Sequence, residues 1–193
     1  GETPVRADDG SVSYNYSFWG ETVRSPAPYL PVALLNGRDL GVEPFKEPGD
    51  LFVSSDGDIY VLDSGNHRIV VLDRQFKLKA VIDSFVRDGQ TDTFLNPQGI
   101  FVTEDQHLLV ADTGRKRVVH LDRNLNLVKV IEKPQSELLP AQFDFQPLRV
   151  AADKAQRLYV LAVGVFDGFM EFNADGTFTS FIGANRVRVD PVE

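Results

Sequence analysis

The chain has 193 residues, no cysteine and a net charge of −8. This length fits one domain or one array of repeats, and the lack of cysteine excludes disulfides and thiolate metal sites. The excess of acidic residues disfavours general nucleic-acid binding, because a negative surface repels phosphate backbones. No apolar run approaches the ~18 residues that would predict a membrane-spanning helix.

The N-terminal region predicts two strands after a short polar segment. Residues 1–13 are mostly polar and are expected to form a flexible N-terminus. Tyr14–Trp19 alternates large aromatic with small polar side chains, which is the period of a strand. A patch rich in turn residues follows from Gly20, and Tyr29–Leu35 has the pattern of a second strand. Residues 14–35 are therefore interpreted as half of a four-stranded unit.

The rest of the chain is dominated by a repeat. Pro48–Ile82 aligns with Pro97–Ile131 at a constant offset of 49 residues, and 15 of the 35 aligned positions are identical. A third, degenerate copy covers Pro147–Ile182. Each copy carries four short strand patterns separated by turn residues, and such a fixed period is typical of repeat or propeller folds. The sequence therefore predicts an all-β propeller domain over residues 14–193, with three four-stranded blades and a partial N-terminal blade.

The segments between the copies are interpreted as connectors. Residues 83–96 contain Gly89 and several aspartates, and Phe94 is expected to reach the core. Residues 132–146 are anchored by apolar side chains. After the third copy, Arg186–Val189 is interpreted as an additional edge strand.

The pattern of the copies resembles the NHL repeat of β-propellers. It reads Pro-x-x-Ile-x-Val and then Leu-x-Val-x-Asp-Ser/Thr-Gly-Asn-His/Lys-Arg-Val-x-x-Leu-Asp, and Asn66-His67 keeps two of the three letters behind the family name. Residues 14–53 are also similar to the start of large extracytoplasmic NHL proteins of Gram-positive bacteria, which are encoded alongside sugar-uptake transporters. The resemblance implies an NHL-type propeller and an extracytoplasmic, secreted or cell-surface location.

The most regular residues of the repeat predict a structural motif. An aspartate at a strand end can accept backbone N–H groups of the turn that follows, and an arginine five residues later can pair with the same carboxylate. A repeated pair is better explained by a repeated structural need than by one active site, although a ligand or metal role is the alternative. The residues concerned are Asp63, Gly65, Asn66 and Arg68 in the first copy and Asp112, Gly114 and Arg117 in the second. The third copy has Ala162 and Gly168 in place of the acid and the base.

The histidines do not predict a metal centre. A propeller metal site needs ligands that converge on the axis from equivalent positions of several blades. His67 lies in a turn, His107 in a hairpin and His120 in a third strand, so they share no repeat position. No GxSxG or HExxH motif occurs either. No catalytic residue and no metal ligand is therefore assigned, and no cofactor is expected, with a divalent cation such as Ca²⁺ left open.

Aromatic residues and a degenerate loop give the candidate ligand-binding residues. Tyrosine and tryptophan present flat faces with a polar group, which suits a sugar ring or a partner side chain. The competing interpretation is that these aromatics pack the first sheet, and that the loop is ordinary drift of a terminal repeat. The candidates are Tyr14, Tyr16, Trp19 and Tyr29 in the N-terminal half-unit, with Phe166 and Asp167 in the loop of the third copy.

Closure of the propeller is open at this stage. Propellers typically carry ~4–8 blades, which protects their sheet edges. Three explanations are available: the chain is the N-terminal part of a longer protein, Arg186–Val189 pairs with the N-terminal half-unit, or two chains join. We expect a truncated or divergent parent, with self-association as the consequence.

These features favour a non-catalytic extracytoplasmic module that presents propeller loops to a protein or carbohydrate partner. The alternative is a metal-dependent enzyme similar to the propeller lactonases and lyases. RNA binding, which occurs among NHL propellers, is the least supported function, because the only basic cluster is Arg115–Arg117 in a chain of net charge −8.

Overall fold

The computed structural model describes residues 14–16, 22–24, 37–165 and 168–183. The described residues form an all-β fold with three four-stranded antiparallel sheets and two two-stranded ones. In each four-stranded sheet the strands follow one another in chain order. The first sheet contains β3 (Pro48–Val53), β4 (Ile59–Asp63), β5 (Arg68–Leu72) and β6 (Leu78–Ile82); the second contains β9 (Gly99–Val102), β10 (Leu108–Asp112), β11 (Arg117–Leu121) and β12 (Leu127–Ile131); the third contains β13 (Pro147–Ala152), β14 (Leu158–Ala162), β15 (Phe169–Phe172) and β16 (Phe178–Ile182).

The smaller sheets are β1 (Tyr14–Tyr16) with β2 (Thr22–Arg24), and β7 (Ser84–Arg87) with β8 (Gln90–Thr93). No helix long and apolar enough to cross a membrane occurs among the described residues.

The turn between the first two strands of each sheet needs one residue in the left-handed region. Gly57 has φ +87°, and the equivalent residues Gln106 and Gln156 have φ +68° and +62°. In the first sheet the turn is closed by hydrogen bonds from Ser54 N–H to Asp58 O and from Gly57 N–H to Ser54 O, both 2.9 Å. Glycine adopts this conformation at no steric cost, whereas glutamine does so under mild strain.

The sheets stack face to face because their central strands carry apolar side chains on both faces. Leu62 and Ile69 of the first sheet share one buried cluster with Val110 and Val119 of the second. Burial of such side chains stabilises the fold by about 1.5–3 kcal/mol each. Phe94 belongs to the same cluster, so the prediction that it reaches the core is confirmed.

The opposite face of the second sheet packs against the third. Leu109 and Val118 share a cluster with Val160 and Met170, and Phe145 of the connector fills it. The third copy therefore keeps the packing positions of the repeat although it has lost the motif residues.

The first strands of the three sheets, β3, β9 and β13, lie side by side. The carboxylate Oδ2 of Asp50 in β3 accepts the backbone N–H of Ile100 in β9 at 3.2 Å, which links two of these strands directly. In a propeller the first strand of each blade lies nearest the central axis, beside the first strands of the neighbouring blades. The three sheets have this arrangement.

Two segments differ from the sequence-based prediction. The connector 83–96 contains the hairpin β7–β8, closed by Asp88 and Gly89 at φ +52° and +76°. Positive φ at both central residues is the geometry of a type I′ turn, for which Asp-Gly is a strong signal. Within the patch that was predicted to form turns, Thr22–Arg24 is strand β2, which pairs with β1. Tyr29–Leu35 and Arg186–Val189 lie outside the described residues.

Candidate functional site

The surface at the start of β3, β9 and β13 combines the connectors with the turns that follow β4 and β10; we call it the connector face. Its first turn is organised by Asp63, whose side chain is fully buried. Oδ1 accepts the N–H of Lys46 at 2.7 Å, and Oδ2 accepts from Asn66 Nδ2 at 2.8 Å and from Arg68 Nε at 2.7 Å. Arg68 Nη2 then donates to the carbonyl of Glu43 at 2.6 Å. The aspartate thus binds both its own turn and the incoming connector.

The second turn repeats this arrangement with stronger charge pairing. Asp112 accepts the N–H of Leu95 at 2.8 Å and Nε of Arg117 at 2.8 Å. Both terminal nitrogens of Arg117 donate to Asp92 of the β7–β8 hairpin, at 2.6 and 2.9 Å. This hydrogen bonding lowers the pKa of Asp92 below its ordinary value. The β7–β8 hairpin, which was not predicted from the sequence, is therefore bound to the second sheet by Arg117, a residue of the predicted motif.

The glycines of the motif make room for the connectors. A Cβ on Gly65 would lie 2.6 Å from the carbonyl oxygen of Lys46, and one on Gly114 would lie 2.4 Å from that of Leu95. The two glycine N–H groups donate to these carbonyls at 2.8 and 2.9 Å. Every motif residue of the first two copies thus contacts its own turn or the connector next to it. These contacts hold the connectors against the sheets.

Equivalent positions near the propeller axis carry different chemistry. The third residue of each copy is Asp50 in β3, Gly99 in β9 and Arg149 in β13. At Gly99 a Cβ would lie 2.5 Å from the carbonyl oxygen of Leu148, so only glycine lets β13 approach. An acidic and a basic group are therefore separated by a position without a side chain.

Arg149 is an exposed cation of this face that has unused donors. Its Nη1 donates to the carbonyls of Gln98 and Leu148. Its Nε and Nη2 have no partner among the residues that the structure describes, and the side chain is exposed. A guanidinium group with two free donors can bind a carboxylate or hydroxyl oxygen.

Neighbouring polar groups of the connector face are partly engaged with one another. Gln98 Nε2 donates to Asn96 Oδ1 at 2.9 Å, and His67 Nδ1 accepts the backbone N–H of Asn96 at 2.9 Å. His67 and Asn96 are exposed, and Gln98 is half-buried. The face therefore offers hydrogen-bonding groups from all three copies within a short distance of the inner strands.

The candidate ligand residues from the sequence are placed only in part. Tyr14 and Tyr16 lie in β1, opposite Arg24 and Thr22 of β2. Trp19, Tyr29, Phe166 and Asp167 lie outside the described residues. An aromatic platform at the N-terminal half-unit therefore stays a prediction.

The structure brings together two histidines that the sequence treated separately. His107 Nδ1 and His120 Nε2 lie 2.8 Å apart, and His107 Nε2 lies 3.6 Å from Asp105 Oδ2. His120 is only 5% exposed, and its Nδ1 has no hydrogen-bond partner among the described residues. Burial, together with the charge of Lys129, lowers the pKa of His120 to about 4.

The signal for this pair was present in the strand register. His120 stands opposite Leu109, and His107 precedes Leu109 by two residues, so both imidazoles lie on the same face of the second sheet. The two histidines do not occupy equivalent positions of different copies, because they are diagonal neighbours within one sheet. Among the described residues, no group of three histidine or acidic side chains is arranged to hold a metal ion.

Comparison with known proteins agrees with the fold. The NHL repeat family model matches residues 45–72. A gluconolactonase from Xanthomonas campestris is 15% identical, with a TM-score of 0.51, over 89% of this chain and 55% of that chain. A putative exported protein from Bacteroides fragilis is 12% identical, with a TM-score of 0.53, over 94% of this chain and 45% of that chain.

A catalytically inactive virginiamycin B lyase from Staphylococcus aureus with quinupristin is 11% identical, with a TM-score of 0.50, over 86% of this chain and 46% of that chain. The chain spans about half the length of these solved structures. Comparison with curated protein sequences finds no match. Together with the sheet order, these similarities show that the fold is a β-propeller of the NHL type.

Proposed function

We propose that the chain is a non-catalytic binding module whose connector face holds a carbohydrate or protein partner. The observation that carries the proposal is Arg149, an exposed guanidinium near the axis with Nε and Nη2 unbound to any described residue. Loops and strand ends on a rigid scaffold are where binding groups usually lie.

The chemistry of the equivalent positions supports a polar ligand rather than a bound metal. Asp50 can accept hydrogen bonds from hydroxyl groups, while Arg149 can donate to hydroxyl or carboxylate oxygens. A fixed cation near the axis also repels a divalent cation by direct Coulomb interaction. The lactonase and lyase similarities concern the fold, which hosts many activities and does not by itself assign one.

The extracytoplasmic location belongs to the same proposal. It rests on the similarity of residues 14–53 to the start of large NHL proteins that are encoded with sugar-uptake transporters. In that setting a module with an exposed polar face would present it within a transporter-linked assembly at the cell surface.

A binding screen with a matched variant tests the proposal. The full chain and the Arg149→Gln variant are applied to a glycan array and to a peptide array under identical conditions. We expect a ligand that binds the chain and loses about tenfold or more in affinity with the variant, since hydrogen bonds to a charged group contribute about 1.5–3 kcal/mol. Arg74→Gln is the control, because Arg74 is engaged with Asp56 O at 2.6 Å in a different turn.

Two results would contradict this function. One is a ligand whose affinity is the same for the chain and the Arg149→Gln variant. The other is lactone hydrolysis or lyase activity by the purified chain that divalent cations stimulate, which would favour the enzymatic alternative.

Self-association is the proposed route to closure. The outer face of the first sheet carries Leu51 and Val81, which are 37% and 41% exposed beside a buried cluster. A second copy that covers this face would bury these exposed apolar side chains. Size-exclusion chromatography with light scattering measures it, and a monodisperse species of 21.5 kDa would exclude it.

A further inference from the structure

A cleft of about 220 Å³ separates the first and second sheets at the end opposite to the connector face. The first sheet contributes Asp58, Tyr60 and Lys79 to its wall, and the second contributes Gln106 and Arg123. The volume is below the range of about 300–1,000 Å³ that drug-sized ligands occupy, so the cleft suits a small molecule. It is distinct from Asp50 and Arg149 of the connector face.

The cleft is open because two residues of the first sheet are small. Val71 and Ala80 line it, and the residues 49 positions later are His120 and Lys129. In the second sheet those two side chains fill the equivalent space. His120 is buried there against His107, and Lys129 Nζ reaches the carbonyl of Ala174 in the third sheet.

Arg123 is directed to the cleft by a difference between two turns. The equivalent Arg74 lies over Gly57, where a Cβ would be 2.4 Å from Nε, and it donates to the carbonyl of Asp56 at 2.6 Å. Gln106 replaces Gly57 in the second sheet, so Arg123 has no glycine to lie over, and Gln106 Nε2 donates to Ser55 Oγ of the first sheet at 3.2 Å. Arg123 instead lines the cleft, and it forms no hydrogen bond or ion pair with a described residue.

The opposite wall of the cleft, formed by the first sheet, is polar and partly buried. Asp58 is only 8% exposed and pairs with Lys79. The hydroxyl of Tyr60 has no hydrogen-bond partner among the described residues. Burial, with the charges of Asp58 and Asp56, raises the pKa of Tyr60, so the phenol remains a donor. The apolar floor includes Leu108, which is almost fully buried.

We propose that this cleft is a second binding site, for a small hydroxylated carboxylate such as a sugar acid. The ligand carboxylate would lie between the Arg123 guanidinium and the Tyr60 hydroxyl, both of which can donate hydrogen bonds. The ligand hydroxyl groups would meet the carboxylate of Asp58, the ammonium of Lys79 and the amide of Gln106. A neutral sugar fills the same volume but leaves the arginine unpaired.

Isothermal titration calorimetry of the full chain tests the site with glucuronate, with glucose as the neutral probe and acetate as the small anion. We expect glucuronate to bind about tenfold or more tightly than either, because glucose has no carboxylate to pair with Arg123 and acetate has no hydroxyl groups to meet Asp58 and Lys79. Arg123→Gln should remove the preference over glucose, and Tyr60→Phe should reduce it. Arg74→Gln is the matched control and should leave glucuronate binding unchanged, because Arg74 is held by the carbonyl of Asp56.

A variant that fills the cleft tests the site without removing the charge of Arg123. Ala80→Lys introduces the residue found at the equivalent position of the filled cleft and should abolish glucuronate binding. Its thermal unfolding midpoint is measured in parallel, so that a loss of binding by an unfolded protein is recognised and the Arg123→Gln result decides. Equal affinity for glucuronate and glucose, equal loss with Arg74→Gln and Arg123→Gln, or no binding of glucuronate at millimolar concentration would overturn the proposal.

Discussion

The Nδ1 atom of His107 and the Nε2 atom of His120 lie 2.8 Å apart in a buried part of the second sheet. Such a contact needs one nitrogen to donate and the other to accept, so at least one imidazole must be neutral in its accepting position. Lys129, opposite His120 in the register, adds a positive charge. The surrounding acids are Asp105 and Asp122, which lie in turns and compensate only in part.

The first prediction is a loss of stability in mild acid. The pKa of His120 is lowered from 6.5 to about 4, so between these values the unfolded chain binds more protons than the folded one. The free energy of unfolding therefore falls as the pH is lowered from about 6.5 to 4, and it stays reduced below pH 4. The contribution is at most about 3 kcal/mol. Urea unfolding at several pH values measures it.

The matched variant is His120→Val, because valine occupies the equivalent position in the first sheet. Subtracting its stability curve from that of the unmodified chain isolates the histidine from the acids that titrate in the same range. We expect the variant to lose less stability than the unmodified chain between pH 6.5 and 4. Parallel curves would show that His120 does not couple protonation to folding.

The second prediction compares the two arginines of the motif. Arg117 is 6% exposed and holds two carboxylates, Asp112 and Asp92. Its removal leaves the fully buried Asp112 without a cation, with only the backbone N–H of Leu95 as a partner, and also unpairs Asp92, so Arg117→Ala should cost about 3–5 kcal/mol. Arg68→Ala should cost about 1–3 kcal/mol, because Asp63 keeps its bonds from Asn66 and the backbone N–H of Lys46. Chemical denaturation gives both values.

The control for this comparison is Arg123→Ala, which removes an exposed arginine without a described partner. Its effect should stay within about 0.5 kcal/mol. If Arg117→Ala were no more destabilising than the control, the ion pairs would not contribute to folding. A larger loss for Arg68→Ala than for Arg117→Ala would also contradict the argument.

The packing of the sheets could be predicted from the sequence, because the constant offset assigns each apolar residue a place. Leu62 and Ala111, or Ile69 and Val118, hold equivalent buried positions in successive sheets. Such positions follow from strand period and burial alone.

The connector contacts could not be predicted in the same way. Asp63 and Arg68 were expected to meet across one turn, but their bonds to Lys46 and Glu43 join residues 17 and 25 positions apart. Local turn chemistry says nothing about which distant backbone will arrive at that turn. The β7–β8 hairpin is different, since Asp88-Gly89 is a local sequence signal for its tight turn and needs no knowledge of a distant contact.

The third prediction concerns the aromatic anchor of the second connector. Phe145 is almost fully buried, with its ring centroid 6.3 Å from that of Phe172 in the third sheet. Phe145→Ala should cost about 3–5 kcal/mol, from lost burial and from the cavity left behind. Phe76→Leu serves as a comparison at a partly buried aromatic in a turn and should cost much less. Similar losses for the two variants would mean that the connector does not hold the second and third sheets together.

The fourth prediction isolates the steric role of Gly114, which does not have a positive φ and is therefore needed only for space. A Cβ at this position would lie 2.4 Å from the carbonyl oxygen of Leu95, so Gly114→Ala should push the connector away and cost about 1–3 kcal/mol. Gly89→Asn is the control, since its hairpin position is open and asparagine tolerates positive φ. Hydrogen exchange at the Leu95 amide, which donates to Asp112, should accelerate in Gly114→Ala and not in Gly89→Asn. Unchanged exchange in both variants would mean that the connector does not depend on the close approach that the glycine permits.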